Sequence, residues 1–141
     1  MNVYDLINLN NIDIEEAIKE IISDVRSELK DLDTDKTCKV YSSYVTEGLR
    51  RKHIVNRIVD SKDLDCLYSH RFNLVPADGK EYYLIDLTYE QFDSEDFPEL
   101  IQDGYMKVND KTFNRYLDVV GIKAFGSTLD DAFDKEHLSS K

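Results

Sequence analysis

Cys38, His70 and Asp86 are the residues of this chain whose types suit thiol chemistry. A cysteine nucleophile needs a lowered pKa, a base within hydrogen-bond reach, and donors for the oxyanion that forms on its substrate. In those roles Cys38 attacks, and His70 takes a proton and later returns it to the leaving amine. Asp86 fixes the imidazole tautomer and stabilises the imidazolium. Two runs, Ser69 to Val75 and Glu81 to Thr88, flank Pro76-Ala77-Asp78-Gly79-Lys80. Aromatic and aliphatic runs around an Asp-Gly pair predict a β-hairpin. A three-residue loop at Ala77-Asp78-Gly79, with Gly79 left-handed, sets His70 directly opposite Asp86. A two-residue Asp78-Gly79 loop shifts the pair by one. Directly opposed residues on one face have Cβ atoms about 4.5–5.5 Å apart, within reach of a hydrogen bond between imidazole and carboxylate.

Cys38 stands thirty-two positions before His70. Thr37 offers a hydroxyl as a helix cap and so places Cys38 in the first turn. There the backbone N–H groups carry partial positive charge, which favours thiolate and can hold an oxyanion. Thr34 is a competing cap that would put Cys38 a turn further in. Each residue also has a plain structural reading: Cys38 as a small buried hydrophobe, His70 as a satisfied strand histidine, Asp86 as a turn-capping acid. Spacing alone does not choose between them.

The elements that must position the trio are legible in the hydrophobic pattern. Ile14, Ala17, Ile18, Ile21, Ile22, Val25 and Leu29 recur at helical spacing. Asp13 is placed to cap that helix, with Glu16 completing a capping box. Val40, Tyr41, Tyr44, Val45 and Leu49 form the stripe of the Cys38 helix, with Gly48 inside it. Ile54 to Val59 reads as a short strand or helix tail. After the hairpin, Phe97 to Ile101 predicts a short helix stopped at Gly104, and Tyr105 to Val108 a strand. Asp110 is placed to cap a helix with Phe113, Tyr116, Leu117 and Val120 inward, ended at Gly121. Ile122 to Phe125 is expected to return to the sheet. The expected unit is one α+β domain over residues 1–125, with a polar, mobile or weakly helical tail over 126–141.

The run Ser69-His70-Arg71-Phe72-Asn73-Leu74-Val75, then Asp78-Gly79-Lys80-Glu81-Tyr82-Tyr83-Leu84-Ile85-Asp86-Leu87-Thr88-Tyr89-Glu90-Gln91-Phe92, resembles the His-strand and Asp-strand of papain-like and transglutaminase-like cysteine enzymes. The shared pattern is His, an aromatic and Asn, a Gly turn, Tyr-Tyr and a closing Asp-x-Thr. Its Asp-Leu-Thr-Tyr-x-Gln-Phe ending is most similar to papain-fold domains of bacterial toxins and effectors, some of which deamidate glutamine. The resemblance implies a papain-like core with helices packed on a small antiparallel sheet. It also implies nucleophile, base and orienting roles for Cys38, His70 and Asp86, and places Gln91 near the site mouth. Asp33 to Thr37 holds no glutamine of the kind papain-like peptidases set before the cysteine, so the Cys38 N–H is the oxyanion donor named. Phe72 stands where many relatives have tryptophan. The expected activity is attack on protein amide bonds through a Cys thioester, by a glutamine deamidase or a narrow-specificity cysteine peptidase. The rival expectation is a non-catalytic acidic protein-binding module of the same fold.

Composition narrows the partners. The 141 residues carry 29 acids against 18 bases, a formal charge of −11. That argues against nucleic acid and anionic membranes as main partners; a protein or peptide substrate is what the resemblance implies. Two cysteines make no disulfide framework. Cys66 lacks further Cys or His ligands for zinc, and Asp93, Glu95 and Asp96 lack the glycine and spacing of a calcium loop. No glycine-rich phosphate loop occurs. No cofactor or metal is therefore expected. His53 and His137 sit in polar surroundings. No stretch reads as a membrane span or signal peptide. The chain is expected to be cytoplasmic as synthesised, with any export by a route that needs no cleavable signal.

Overall fold

The structure is a computed structural model, and it describes residues 11–33, 37–60, 70–92, 94–122 and 128–134. Helix α1 spans Asn11–Glu28. Its Ile14, Ile18, Ile21, Ile22 and Val25 are buried, the single apolar stripe that the sequence spacing requires. It starts ahead of Asp13, so Asp13 is not its cap. Helix α2 spans Cys38–Arg51 and buries Tyr41, Ser42, Val45 and Leu49. The two helices touch at Gly48, where an added Cβ would lie 2.8 Å from Ile21 Cγ2. Gly48 thus marks close helix packing.

Four antiparallel strands follow in the order β1-β2-β3-β4: Arg57–Asp60, Arg71–Pro76, Tyr82–Ile85 and Tyr105–Val108. Between β3 and β4 lie a 3-10 helix, Tyr89–Phe92, and the short helix α3, Pro98–Gln102. Helices α4, Asp110–Val119, and α5, Leu129–Asp134, complete the described chain. The architecture is α+β, with five α-helices among the described residues around a small antiparallel sheet. Among the described residues no helix is long and apolar enough to cross a membrane.

Alternation along the strands makes two cores. On one face Phe72, Leu74, Tyr82, Leu84, Met106 and Val108 pack with Phe113, Tyr116 and Leu117 of α4. On the other, Val75, Tyr83 and Ile85 pack with α1 and α2. Strand β2 is buried along most of its length because helices cover both its sides.

The hairpin register differs from both sequence expectations. Leu74 pairs with Leu84 and Pro76 with Tyr82. The loop is Asp78-Gly79-Lys80: Ala77 N–H donates to Glu81 O at 3.0 Å and Glu81 N–H to Asp78 O at 3.1 Å. Gly79 is left-handed, φ +63°, but it sits mid-loop rather than at the loop's end. Extending this register sets Phe72, not His70, across from Asp86. The displacement is two residues, so His70 and Asp86 keep a common face and become diagonal neighbours.

Two further expectations change. Asn109, not Asp110, caps α4: its Oδ1 accepts the Thr112 N–H at 2.9 Å. Asp110 Oδ1 instead accepts the Leu129 N–H at 2.8 Å and so holds the start of α5. The stretch read as a polar, mobile or weakly helical tail forms α5, with Leu129 and Ala132 fully buried. Tyr82 O–H donates to Asp130 at 2.8 Å and Arg57 Nε–H to Phe133 O at 2.9 Å. A second apolar side to a short acidic stretch was the overlooked signal. The return of residues 123–125 to the sheet lies outside the described residues.

Gly104 fastens the strand end that carries Asp86. Its carbonyl accepts the Asp86 N–H at 3.0 Å. Its φ is +81°, and an added Cβ would run into Leu87 Cδ2 and lie 3.2 Å from Ile22 Cγ2. Gly104→Ala is expected to lose more than about 1 kcal/mol of stability in urea unfolding, from backbone strain and the clash together.

Candidate active site

His70 precedes β2 and is 2% exposed. Its Nε2 lies 2.8 Å from Asp86 Oδ2 and 3.2 Å from the Tyr116 hydroxyl. Tyr116 O–H donates to the same Asp86 Oδ2 at 2.6 Å. The other carboxylate oxygen, Oδ1, accepts the Thr88 N–H at 3.1 Å and the Thr88 hydroxyl at 3.2 Å. Both oxygens of Asp86 are therefore held, which satisfies a buried carboxylate and fixes its plane. The Phe92 ring meets the imidazole edge-on at 4.7 Å and 87°. Phe72 lies 6.3 Å from it.

Cys38 arrives from the other side of the sheet, as the first residue of α2, and is 6% exposed. Asn73 ties β2 to that helix by donating to Thr46 Oγ1 at 2.8 Å. The Cys38 thiol lies close enough to His70 and to the Arg71 backbone for both to act on its ionisation. The Cys38 and Lys39 N–H groups precede the first intrahelical bond, Val40 N–H to Thr37 O at 3.0 Å. Such N–H groups at a helix start carry partial positive charge, the chemistry an oxyanion requires. Thr37 occupies the cap position, yet its hydroxyl donates to Asp33 O and makes no cap bond.

These contacts act on the proton inventory. Burial opposes ionisation of Cys38, but the hydrogen bond and charge of His70 and the Arg71 N–H outweigh it, and the thiol pKa falls below its ordinary value. Burial alone would discharge His70. The Asp86 charge and hydrogen bond, with Cys38 beside it, instead push its pKa up to about 9. Burial and the Asp86 charge hold the Tyr116 phenol well above its usual range, so it remains a donor. Both shifts run toward a thiolate–imidazolium pair.

The structure thus brings Cys38, His70 and Asp86 together. Gln91 lies in the 3-10 helix beside Phe92. His53 is exposed at the end of α2, away from the trio. Asp96 is drawn to Arg115 at 3.4 Å. Cys66, Asp93 and His137 lie outside the described residues. Among the described residues no group of three or more Cys, His, Asp or Glu is placed to hold a metal.

Tyr116 was missed as a site residue, because its place on an apolar stripe reads as core. The available signal was its hydroxyl, which needs a partner when buried. Tyr116→Phe keeps the ring 5.1 Å from Phe72 and removes the donor to Asp86. It is expected to cost about 1–3 kcal/mol of stability, measured by urea unfolding.

Comparison of the chain with protein-family models, with curated proteins and with solved structures found no match.

Proposed function

We propose that this chain is a thiol-dependent amide hydrolase or acyl transferase with a papain-like core. The observation that carries the reading is a buried thiol at a helix start, its ionisation favoured by an imidazole whose Nε2 is held 2.8 Å from a buried carboxylate. The order of parts, nucleophile helix, His strand, Asp strand, fits the resemblance read in the sequence.

The Cys38 thiolate attacks an amide carbonyl carbon. A C–S bond forms, and the carbonyl electrons move to the oxygen beside the first N–H groups of α2. His70 gives its proton to the amine nitrogen as the C–N bond breaks, leaving a thioester and neutral imidazole. Imidazole then takes a proton from water as its oxygen attacks the thioester. Collapse breaks the C–S bond and restores the thiolate–imidazolium pair. Asp86 stabilises the imidazolium throughout. A glutamine side chain as substrate gives deamidation, a backbone amide gives cleavage, and an amine in place of water gives a cross-link.

The rival, a non-catalytic acidic binding module of the same fold, draws on one observation. Cys38 is buried, and the cavity beside it measures about 10 Å³, room for one water at most. Iodoacetamide separates the readings. An enzyme labels rapidly at Cys38 near neutral pH and loses that rate in His70→Ala; a module labels slowly in both. The reaction is identified by mass spectrometry of candidate proteins incubated with wild type and Cys38→Ala. Deamidation adds about 1 Da, cleavage cuts the backbone, and transfer makes a cross-link, each only with wild type.

A further inference from the structure

A cleft of about 410 Å³ opens beside the candidate site. That size suits a ligand segment, whereas the cavity at Cys38 itself does not. Tyr41 and Leu87 line both spaces. Tyr41 stands one turn after Cys38 and Leu87 follows Asp86, so the cleft runs between the segments that carry the nucleophile and the orienting acid. Its walls are built rather than incidental. Arg26 donates to Ile101 O at 3.2 Å and Gln102 O at 3.0 Å, fastening α1 to the end of α3. Tyr41 O–H donates to Leu32 O at 3.0 Å and so holds the connector that leads to Cys38.

The lining joins apolar Leu32, Leu87 and Leu100 to charges of both signs. Lys30 comes from the connector after α1 and Glu90 from the 3-10 helix. Both are exposed, and neither has an ion-pair partner among the described residues. Of the other two charged residues, Arg26 is engaged on backbone carbonyls, and the Asp33 backbone carbonyl accepts the Thr37 hydroxyl.

We propose that this cleft is the substrate site of the Cys38 centre and takes a mixed-charge peptide segment, with an acidic residue paired to Lys30, a basic one to Glu90, and apolar residues between. The proposal rests on the thiol-enzyme reading above. A uniformly charged chain would leave one of the two charges unmatched.

The test uses the full chain carrying Cys38→Ala, so that binding is read without turnover. Three fluorescein-labelled pentapeptides share a leucine-glutamine-leucine centre. One has lysine first and aspartate last, one has these exchanged, and one has alanine at both ends. Fluorescence anisotropy should show one mixed-charge peptide binding roughly five- to thirtyfold tighter than the other two, the yield of two exposed ion pairs. The double exchange Lys30→Glu with Glu90→Lys leaves the net charge unchanged and should transfer the preference to the other mixed-charge peptide. Equal binding of all three, no binding, or a preference that survives the exchange overturns the proposal. Failure of the thiol reading looks different: Cys38 of the wild type then labels slowly, whatever the peptides do. Charge-selective binding beside an inert Cys38 would assign the cleft to a binding module and overturn its role as a substrate site.

Discussion

His70→Ala slows alkylation of Cys38 several-fold at neutral pH and moves its pH dependence up toward the ordinary thiol range. The hydrogen bond and charge of His70 are the largest influences lowering the Cys38 pKa. Without them burial is left to raise it. Amide turnover should fall further, by about 10²–10⁴-fold, because the variant also lacks the acid for the leaving amine. In the wild type the two readouts separate with pH. Labelling rises once, as thiolate forms below the ordinary thiol pKa, and stays high. Turnover rises on that same limb and falls again near pH 9, where His70 loses its proton. A labelling curve identical in wild type and His70→Ala would show that the imidazole does nothing for the thiol.

The same shifts bear on stability with opposite signs. His70 is raised from 6.5 to about 9, so its contribution is complete below pH 6.5 and lost as pH rises through 9. The depressed Cys38 pKa contributes fully above the ordinary thiol value of 9.0, and that contribution is lost as pH falls through the folded value. Where the windows overlap, one group's gain offsets the other's loss. The pH profile of stability should therefore be flatter than either shift alone implies.

Phe72→Ala is expected to cost about 3–5 kcal/mol, the usual range for deleting a fully buried ring. The ring is 0% exposed. It meets Phe113 at 6.1 Å and Tyr116 at 5.1 Å, both edge-on. Both rings lie on α4 and cannot close the vacated space without shifting the helix off the sheet. Urea unfolding reads the loss. Phe72→Leu keeps most of the volume and should lose markedly less. Because Phe72 also supports the Tyr116 ring that donates to Asp86, Phe72→Ala should slow Cys38 labelling while still folded at low temperature. A loss below about 1 kcal/mol would mean that the surrounding rings repack freely.

The sequence was most informative where periodicity acts alone. The apolar stripe of α1 and the glycine stops at Gly104 and Gly121 follow from local chemistry, and both glycines are left-handed here. The hairpin was legible as a hairpin, but its register was not. Asp-Gly pairs suit several loop frames, and what selects among them is the packing of β2 and β3 against cores on both faces. His70 and Asp86 met despite the slip because two residues is one full period of a strand. A slip of one would have parted them to opposite faces. The meeting of Cys38 with His70 is tertiary: it depends on how α2 lies across β2, which no local pattern encodes. The same is true of α5, whose docking is fixed by Tyr82, Arg57 and Asp110, all distant in sequence.

The sheet separates the parts of the candidate site. Cys38 belongs to a helix on one face, while His70, Asp86 and Tyr116 draw together on the other and reach the thiol at the strand end. Neither half makes a reactive centre by itself. A nascent or partly unfolded chain with only one layer docked carries an ordinary cysteine or an idle histidine. Under the proposed thiol chemistry, rapid labelling of Cys38 is thereby a reporter of completed folding of both layers.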